Sequence, residues 1–256
     1  MELTFIGTGS GRTSLDRFHT SILITEKNHS LLIDTGDGIA KALLSAKVDF
    51  RTIDSILISH THADHFSGIT SLLTQMKIEG RTAPLKIFIH SAFLDFLNKF
   101  INVSFLFMET IGFELNIFGY EFNKPIRLRN DLEILPKQNS HIRNKDNFTN
   151  YNWLKFISSS FLIRSNSLNI FYTADIGSKN DLFLFDEYTI DYMITEATHI
   201  TLSEIADAVK IINPQKCYLL HINDEELLKK EINKFSTDEK SKFELTHDGM
   251  RIVLNV

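Results

Sequence analysis

The sequence predicts an α/β domain built as two sheets with helices outside, an αββα layering that takes in residues 1–256 as one domain. Three observations predict it. Short β-prone apolar runs come first as a strand-rich set, then alternate with helical spacing, and this order recurs after the middle of the chain. Polar residues stand directly where apolar runs stop, at His60, Asp175, His199 and His221. Strand ends gathered at one edge of a layered fold are where sites are usually built. The chain has 256 residues, 43% of them hydrophobic, which suits one large core and argues against disorder.

Leu3 to Ile6 reads as a strand ending in Gly7-Thr8-Gly9-Ser10-Gly11-Arg12. Thr20 to Thr25 and Ser30 to Ile33 are further strands, the second running into Asp34-Thr35-Gly36. Ile39 to Lys47 has helical spacing, and Ser55 to Ile58 is an apolar strand. A helix is expected from His65 to Lys77 with Asp64 as its N-cap, then a strand at Leu85 to Ile89 and a helix at Ser91 to Phe100 capped by Ser91. Phe113 to Phe118, Tyr120 to Phe122, Ile126 to Leu128 and Leu132 to Leu135 read as consecutive short strands. Lys137 to Asn152 is a long polar loop holding His141. Ser159 to Arg164 and Asn169 to Thr173 form a hairpin around Ser165-Asn166-Ser167. Tyr192 to Thr195, a helix at Leu202 to Ile212, Lys216 to Leu220 and a helix at Asp224 to Phe235 follow. A hairpin over His247-Asp248-Gly249 is expected to close the chain.

Composition removes several classes of function. A formal net charge of -5 with no long basic run argues against broad nucleic-acid binding, which needs a positive footprint. One cysteine, Cys217, allows neither an internal disulfide nor a Cys-rich zinc site. No run is apolar and long enough for a membrane span, and the start lacks the pattern of a signal peptide. A cytoplasmic protein is expected.

The densest chemistry lies in Ser59-His60-Thr61-His62-Ala63-Asp64-His65. His60 and His62 point the same way in an extended segment, while Asp64 and His65 stand at the turn into a helix. Imidazole and carboxylate suit zinc, manganese or iron. Residues downstream are more ambiguous when read alone. His141 is a polar residue in a charged loop, Asp175 precedes Gly177 as a turn residue does, and His221 follows an apolar strand.

Continued to Phe66-Ser67-Gly68, this stretch resembles the His-x-His-x-Asp-His signature of the metallo-β-lactamase superfamily. The likeness covers nearly the whole chain. Leu32-Ile33-Asp34-Thr35-Gly36 resembles the family's Asp-x-Gly strand end, and His141, Asp175 and His221 match its later ligands. The resemblance implies the four-layer αββα sandwich of that family and two divalent ions, zinc first, with manganese and iron as alternatives. It implies His60, His62 and His141 around one ion, Asp64, His65 and His221 around the other, and Asp175 between them. Asp34 would brace the metal loop through an imidazole N–H without touching metal.

The branch follows from finer resemblances. Asp175 departs from the β-lactamases that place a Cys at the second metal. Ile142-Arg143-Asn144 lacks the Thr-x-Gly of glyoxalase II-like thiolesterases, and Ala63 stands where di-iron oxidoreductases carry a Glu. Glu196-Ala197-Thr198 and His199-Ile200-Thr201 are similar to the His-Glu-Ala-Thr and His-Ser-Thr elements of tRNase Z, with Thr195 in the first histidine's place. No counterpart of the Gly/Pro-rich tRNA-gripping arm stands between His141 and Asp175. The resemblance therefore implies a phosphodiesterase acting on a small or cyclic phosphodiester or nucleotide through a hydroxide held between two metals. Asp64 and Asp175 would be its catalytic carboxylates and His199 its proton donor. Gly9, Ser10 and Thr201 are candidates for phosphate contact. A tRNase Z-like endonuclease and a lactone or carboxyl-ester hydrolase are the alternatives, a metal-binding protein without turnover ranks below them, and a homodimer is left open.

Overall fold

Burial on both faces, rather than alternation, marks the central strands of this chain. In its computed structural model, which describes residues 1–143, 150–151, 153–165 and 168–254, the chain forms two compact units. The first covers Met1–Glu121 and Thr246–Val256, and the second covers Phe122–Leu245.

The first unit carries β1 (Glu2–Gly7), β2 (Ser21–Glu26), β3 (His29–Ile33), β4 (Ser55–Leu57), β5 (Leu85–His90) and β6 (Leu115–Tyr120). The chain's last strand, β14 (Arg251–Val253), completes a seven-stranded sheet in the order β14-β1-β2-β3-β4-β5-β6. β3 through β6 pair in parallel, the rest antiparallel. β3 and β4 are buried at every position, as suits strands covered on both faces. The helices are α1 (Ile39–Ser45), α2 (Ala63–Phe66), α3 (Ile69–Ile78) and α4 (Leu94–Val103).

The second unit carries β7 (Ile126–Arg129), β8 (Leu132–Gln138), β9 (Ser159–Ser165), β10 (Leu168–Tyr172), β11 (Tyr192–Glu196), β12 (Lys216–Leu220) and β13 (Phe243–Leu245). They form a seven-stranded sheet in the order β13-β12-β11-β10-β9-β8-β7, parallel from β10 to β13. Helices α5 (Leu202–Ile212), α6 (Glu225–Ile232) and α7 (Thr237–Lys242) belong to this unit. Its core joins Phe171, Phe185, Met193, Ile205 and Val209 to Cys217. Burial pushes the Cys217 thiol well above its usual range, so this cysteine is core filling.

Two mixed sheets with flanking helices are the architecture expected, and four local expectations are corrected. The helix from His65 to Lys77 is two helices broken at Ser67–Gly68, and Asp64 lies inside α2 rather than capping it. At the break the Gly68 N–H leaves the helix and donates to the Thr35 carbonyl at 2.8 Å, and a side chain on Gly68 would sit 2.2 Å from the Gly36 carbonyl oxygen. Before α4, the side chain of His90, not Ser91, accepts the capping bond from the Ala92 N–H, while the Ser91 hydroxyl is taken by Glu121. Phe113 to Phe122 holds one strand, β6, in place of two. The closing hairpin does not form. β13 pairs in parallel with β12 and β14 antiparallel with β1, in different sheets. Helix α7, which lacks a buried residue, is unforeseen. The hairpin of β9 and β10 has the expected register, but Asn166 and Ser167 of its turn lie outside the described residues, as do residues 144–149 and 152 of the loop after Lys137.

Candidate metal centre

In the first unit the parallel strands β3 and β4 end side by side, and this places Asp34 beside Ser59. Asp34 is fully buried and adopts a left-handed backbone, φ 63°. Its Oδ1 accepts the Ser59 N–H at 2.7 Å, and its Oδ2 accepts the Ser59 hydroxyl at 2.8 Å. The same Oδ2 lies 2.8 Å from His65 Nδ1. A carboxylate there makes Nδ1 the protonated nitrogen and presents Nε2 as a ligand atom. The Ser59 hydroxyl donates its hydrogen bond to Asp34, so its oxygen accepts from the His60 Nδ1–H at 2.9 Å. One buried carboxylate thus sets two imidazoles, His65 directly and His60 through Ser59. His60 Nε2 then stands 3.2 Å from His62 Nδ1, and His65 Nε2 stands 3.5 Å from an Asp64 oxygen. Ile58, which leads into this loop, is held by the Tyr120 hydroxyl donating to its carbonyl at 2.9 Å.

In the second unit the functional side chains come from the ends of β8, β10, β11 and β12. Asp175 Oδ2 lies 3.2 Å from His221 Nε2 and 3.6 Å from His141 Nε2, so one carboxylate oxygen stands near two imidazole nitrogens. Asp175 and His221 are each 2% exposed. Ala174, just before Asp175, and His221 itself take left-handed backbones with φ 49° and 57°. Such conformations cost non-glycine residues about 1–3 kcal/mol and persist where the surroundings hold them.

His199 is held by Glu196. That carboxylate is 1% exposed and accepts the N–H groups of Thr198 and His199, both at 2.8 Å, through Oε2. Its Oε1 takes the Ile176 N–H at 3.2 Å and faces His199 Nδ1 at 3.0 Å. Glu196 therefore fixes the tautomer of His199 and presents Nε2. His199 packs near His141 and His221, with ring centroids 4.7 and 5.5 Å away. Ligand atoms of His141, Asp175 and His199, and those of Glu196, His199 and His221, lie within 4.8 Å of one another. Thr195, in the place of a histidine in the tRNase Z element, is fully buried and receives the Thr173 hydroxyl at 3.2 Å. It is a core residue.

Each unit therefore gathers its share of the predicted ligands. The donor sets fit a divalent transition ion by their chemistry: imidazole and carboxylate in each cluster, with His60, His65 and His199 oriented by buried carboxylates. The three phosphate candidates are engaged in local structure. The Gly9 N–H donates to the Phe18 carbonyl at 2.7 Å, Ser10 Oγ accepts the Arg12 N–H at 3.2 Å, and Thr201 caps α5 through Glu204. Ser59, Asn139, Asp181 and Glu196 were not singled out as site residues from sequence. The signal for each is position: a small polar or acidic residue next to a ligand or at a strand end.

A family model described as Anti-Pycsar protein Apyc1 matches residues 1–243. Ribonuclease Z of Aeropyrum pernix is 34% identical over 116 residues, which make up 45% of this chain and 36% of that protein. The chain thus matches only about a third of the length of that curated relative. Among solved structures, the metallo-β-lactamase fold protein YhfI from Bacillus subtilis superposes with a TM-score of 0.76 at 19% identity, covering 98% of both chains. The short form of human tRNase Z superposes with a TM-score of 0.76 at 17% identity over the full length of both. These likenesses establish the metallo-β-lactamase fold. Among the described residues no helix is long and apolar enough to cross a membrane.

Proposed function

The chain belongs to the Anti-Pycsar protein Apyc1 family, and from that premise we propose that it is a metal-dependent hydrolase that cleaves a small or cyclic phosphodiester. In this reading the two units serve one catalytic domain. His60, His62 and His141 hold one ion, Asp64, His65 and His221 hold the other, and Asp175 is shared. The observation that carries the reading is Asp175, whose single oxygen stands near both His141 and His221. A shared carboxylate is what two neighbouring dications require.

A pair of bound divalent ions supplies a water acidified toward neutrality and a polarised phosphoryl oxygen. The chain's own residues do the rest. Asp34 and Ser59 keep His65 and His60 in the tautomers that present Nε2. Glu196 holds His199 through Nδ1, and when the ring is protonated on both nitrogens its Nε2–H is the proton delivered to the leaving oxygen. Zinc is the favoured ion, with manganese and iron as alternatives. A cytoplasmic setting belongs to the same reading.

A tRNase Z-like activity on RNA ends is the second reading, favoured by the ribonuclease Z relatives. Against it, the 256-residue chain is acidic, and the segment from His141 to Asp175 contains neither glycine nor proline from which to build an arm. One panel separates the readings. The zinc-loaded protein is expected to hydrolyse bis(p-nitrophenyl) phosphate and a cyclic mononucleotide, and to leave a tRNA 3′ trailer and lactones intact. Asp175→Ala should lose metal and nearly all of the phosphodiester turnover. A variant with full metal content and rate overturns the assignment, and lactone turnover without phosphodiester cleavage overturns the substrate class.

A further inference from the structure

Asn139 and Ser140 immediately precede His141 in the second unit, and both are tied to the loop that carries Asp175. Asn139 is 5% exposed. Its Oδ1 accepts the His141 N–H at 3.1 Å, while its Nδ2 donates to the Asp175 carbonyl at 2.9 Å and to the Ser160 hydroxyl at 3.0 Å. One amide therefore grips the backbone of both residues.

The other side of the pair is gripped by Asp181, which is 6% exposed. Its carboxylate accepts the Ser140 hydroxyl at 2.6 Å and the Ser140 N–H at 3.2 Å. It also accepts the Gly177 N–H at 3.0 Å and the Ser178 N–H at 3.1 Å. Asp181 thus joins the residue before His141 to the second and third residues after Asp175. The two loops are in backbone contact, since a side chain on Gly177 would sit 2.1 Å from the Ser140 carbonyl oxygen. The Ser178 contact is what a residue entering the short helical turn Lys179–Phe183 needs. The Ser140 contacts are not: a cap has no use for a bond to a second loop.

We infer that Asn139 and Asp181 are positioning residues that fix His141 against Asp175, and that metal binding by the second unit depends on this pair of grips. Neither side chain is assigned a contact with metal. The inference rests on the dinuclear reading above. Partners that orient ligands typically change metal affinity about 10–100-fold when removed.

The test is zinc uptake by the metal-stripped full chain, followed by competition with a chelator, with stoichiometry from elemental analysis and melting of the metal-free protein alongside. Wild type is expected to take two ions. Asp181→Asn and Asn139→Ala are each expected to weaken one of the two by about 10–100-fold. Ser178→Ala, which disturbs the turn and removes the 3.2 Å Ser140–Ser178 hydroxyl contact but spares the Ser140–Asp181 bonds, should cost far less zinc affinity than Asp181→Asn. Ser140→Ala removes one donor and should give a smaller loss at the same ion, which keeps the test readable if a larger change fails to fold. If Asp181→Asn melts like Ser178→Ala and keeps wild-type zinc affinity, Asp181 is a helix cap only and the inference is overturned. A wild type that takes up no zinc overturns the dinuclear reading and the inference with it. Variants that match a two-zinc wild type overturn the inference alone.

Discussion

The two units hold their candidate ligands in different ways. In the first, four of them fall within six residues, from His60 to His65, and one buried carboxylate orients two of the three imidazoles. In the second, His141, Asp175, His199 and His221 come from four strand ends, and three separate side chains brace the first three: Asn139, Asp181 and Glu196. A contiguous motif concentrates its support on a single residue. A dispersed one must rebuild support at every loop. The first arrangement should fail as a whole when its brace is lost, and the second should fail in parts.

The sharpest test of that contrast is Asp34→Ala. It leaves the buried Ser59 and His65 donors without an acceptor and puts an alanine at φ 63°. A loss of about 3–5 kcal/mol in the metal-free protein is expected from chemical denaturation, with zinc uptake by the first cluster gone. A loss below about 1 kcal/mol would break the contrast, because the support would then be spread as in the second unit.

Glu196→Gln should be milder and confined. Gln keeps the shape and can still accept the Thr198 and His199 N–H groups through its oxygen, but its NH2 then faces the Ile176 N–H and His199 Nδ1 that a carboxylate oxygen accepted. Turnover of a phosphodiester with a poor leaving group is expected to fall about 10²-fold at unchanged metal content. An equal loss of metal would show that the second cluster also fails as a whole.

The smallest effect concerns pH. Burial pushes the His90 imidazole below its usual value, with Glu121 opposing the shift. Its folded pKa is therefore depressed, so the stability that neutral His90 contributes is present above the unfolded value of about 6.5 and is lost as pH falls below it. Metal-free wild type should lose stability more steeply between pH 7 and pH 5 than His90→Gln does, by at most about 1.4 kcal/mol per pH unit. Parallel melting curves for the two would remove His90 as a source of acid sensitivity in the first unit.

What could be read from the sequence follows the same division. His60 to His65 is legible because its members are neighbours, and spacing alone gives their direction. Asp175 and His221 were legible as polar residues that end apolar strands. Apart from Asp34, which the resemblance marks as a brace, the braces were not, because Ser59, Asn139 and Asp181 are ordinary polar residues until burial and partners are known. The same limit explains the closing strands. His247-Asp248-Gly249 has the composition of a hairpin turn, yet Asp248 accepts the Thr8 N–H at 2.8 Å and the Phe18 N–H at 2.6 Å. Its partners lie at the other end of the chain, and no local pattern points to them. Local periodicity also joined α2 to α3, since nothing near Gly68 in sequence announces Gly36.

That last contact sets limits on how this chain can vary. A side chain on Gly36 would stand 1.9 Å from the Asp64 carbonyl oxygen, and one on Gly68 would stand 2.2 Å from the Gly36 carbonyl oxygen. The Thr35 N–H donates to the His65 carbonyl at 2.7 Å, and the Gly68 N–H to the Thr35 carbonyl at 2.8 Å. The shortest contacts at both glycines are with backbone rather than with a side chain that could yield. Neither glycine can be exchanged one mutation at a time, and compensation elsewhere cannot make room, because the obstructing atoms belong to every amino acid. Descendants of this sequence are free to lengthen, shorten or recharge the loops around the knot, but not to thicken it.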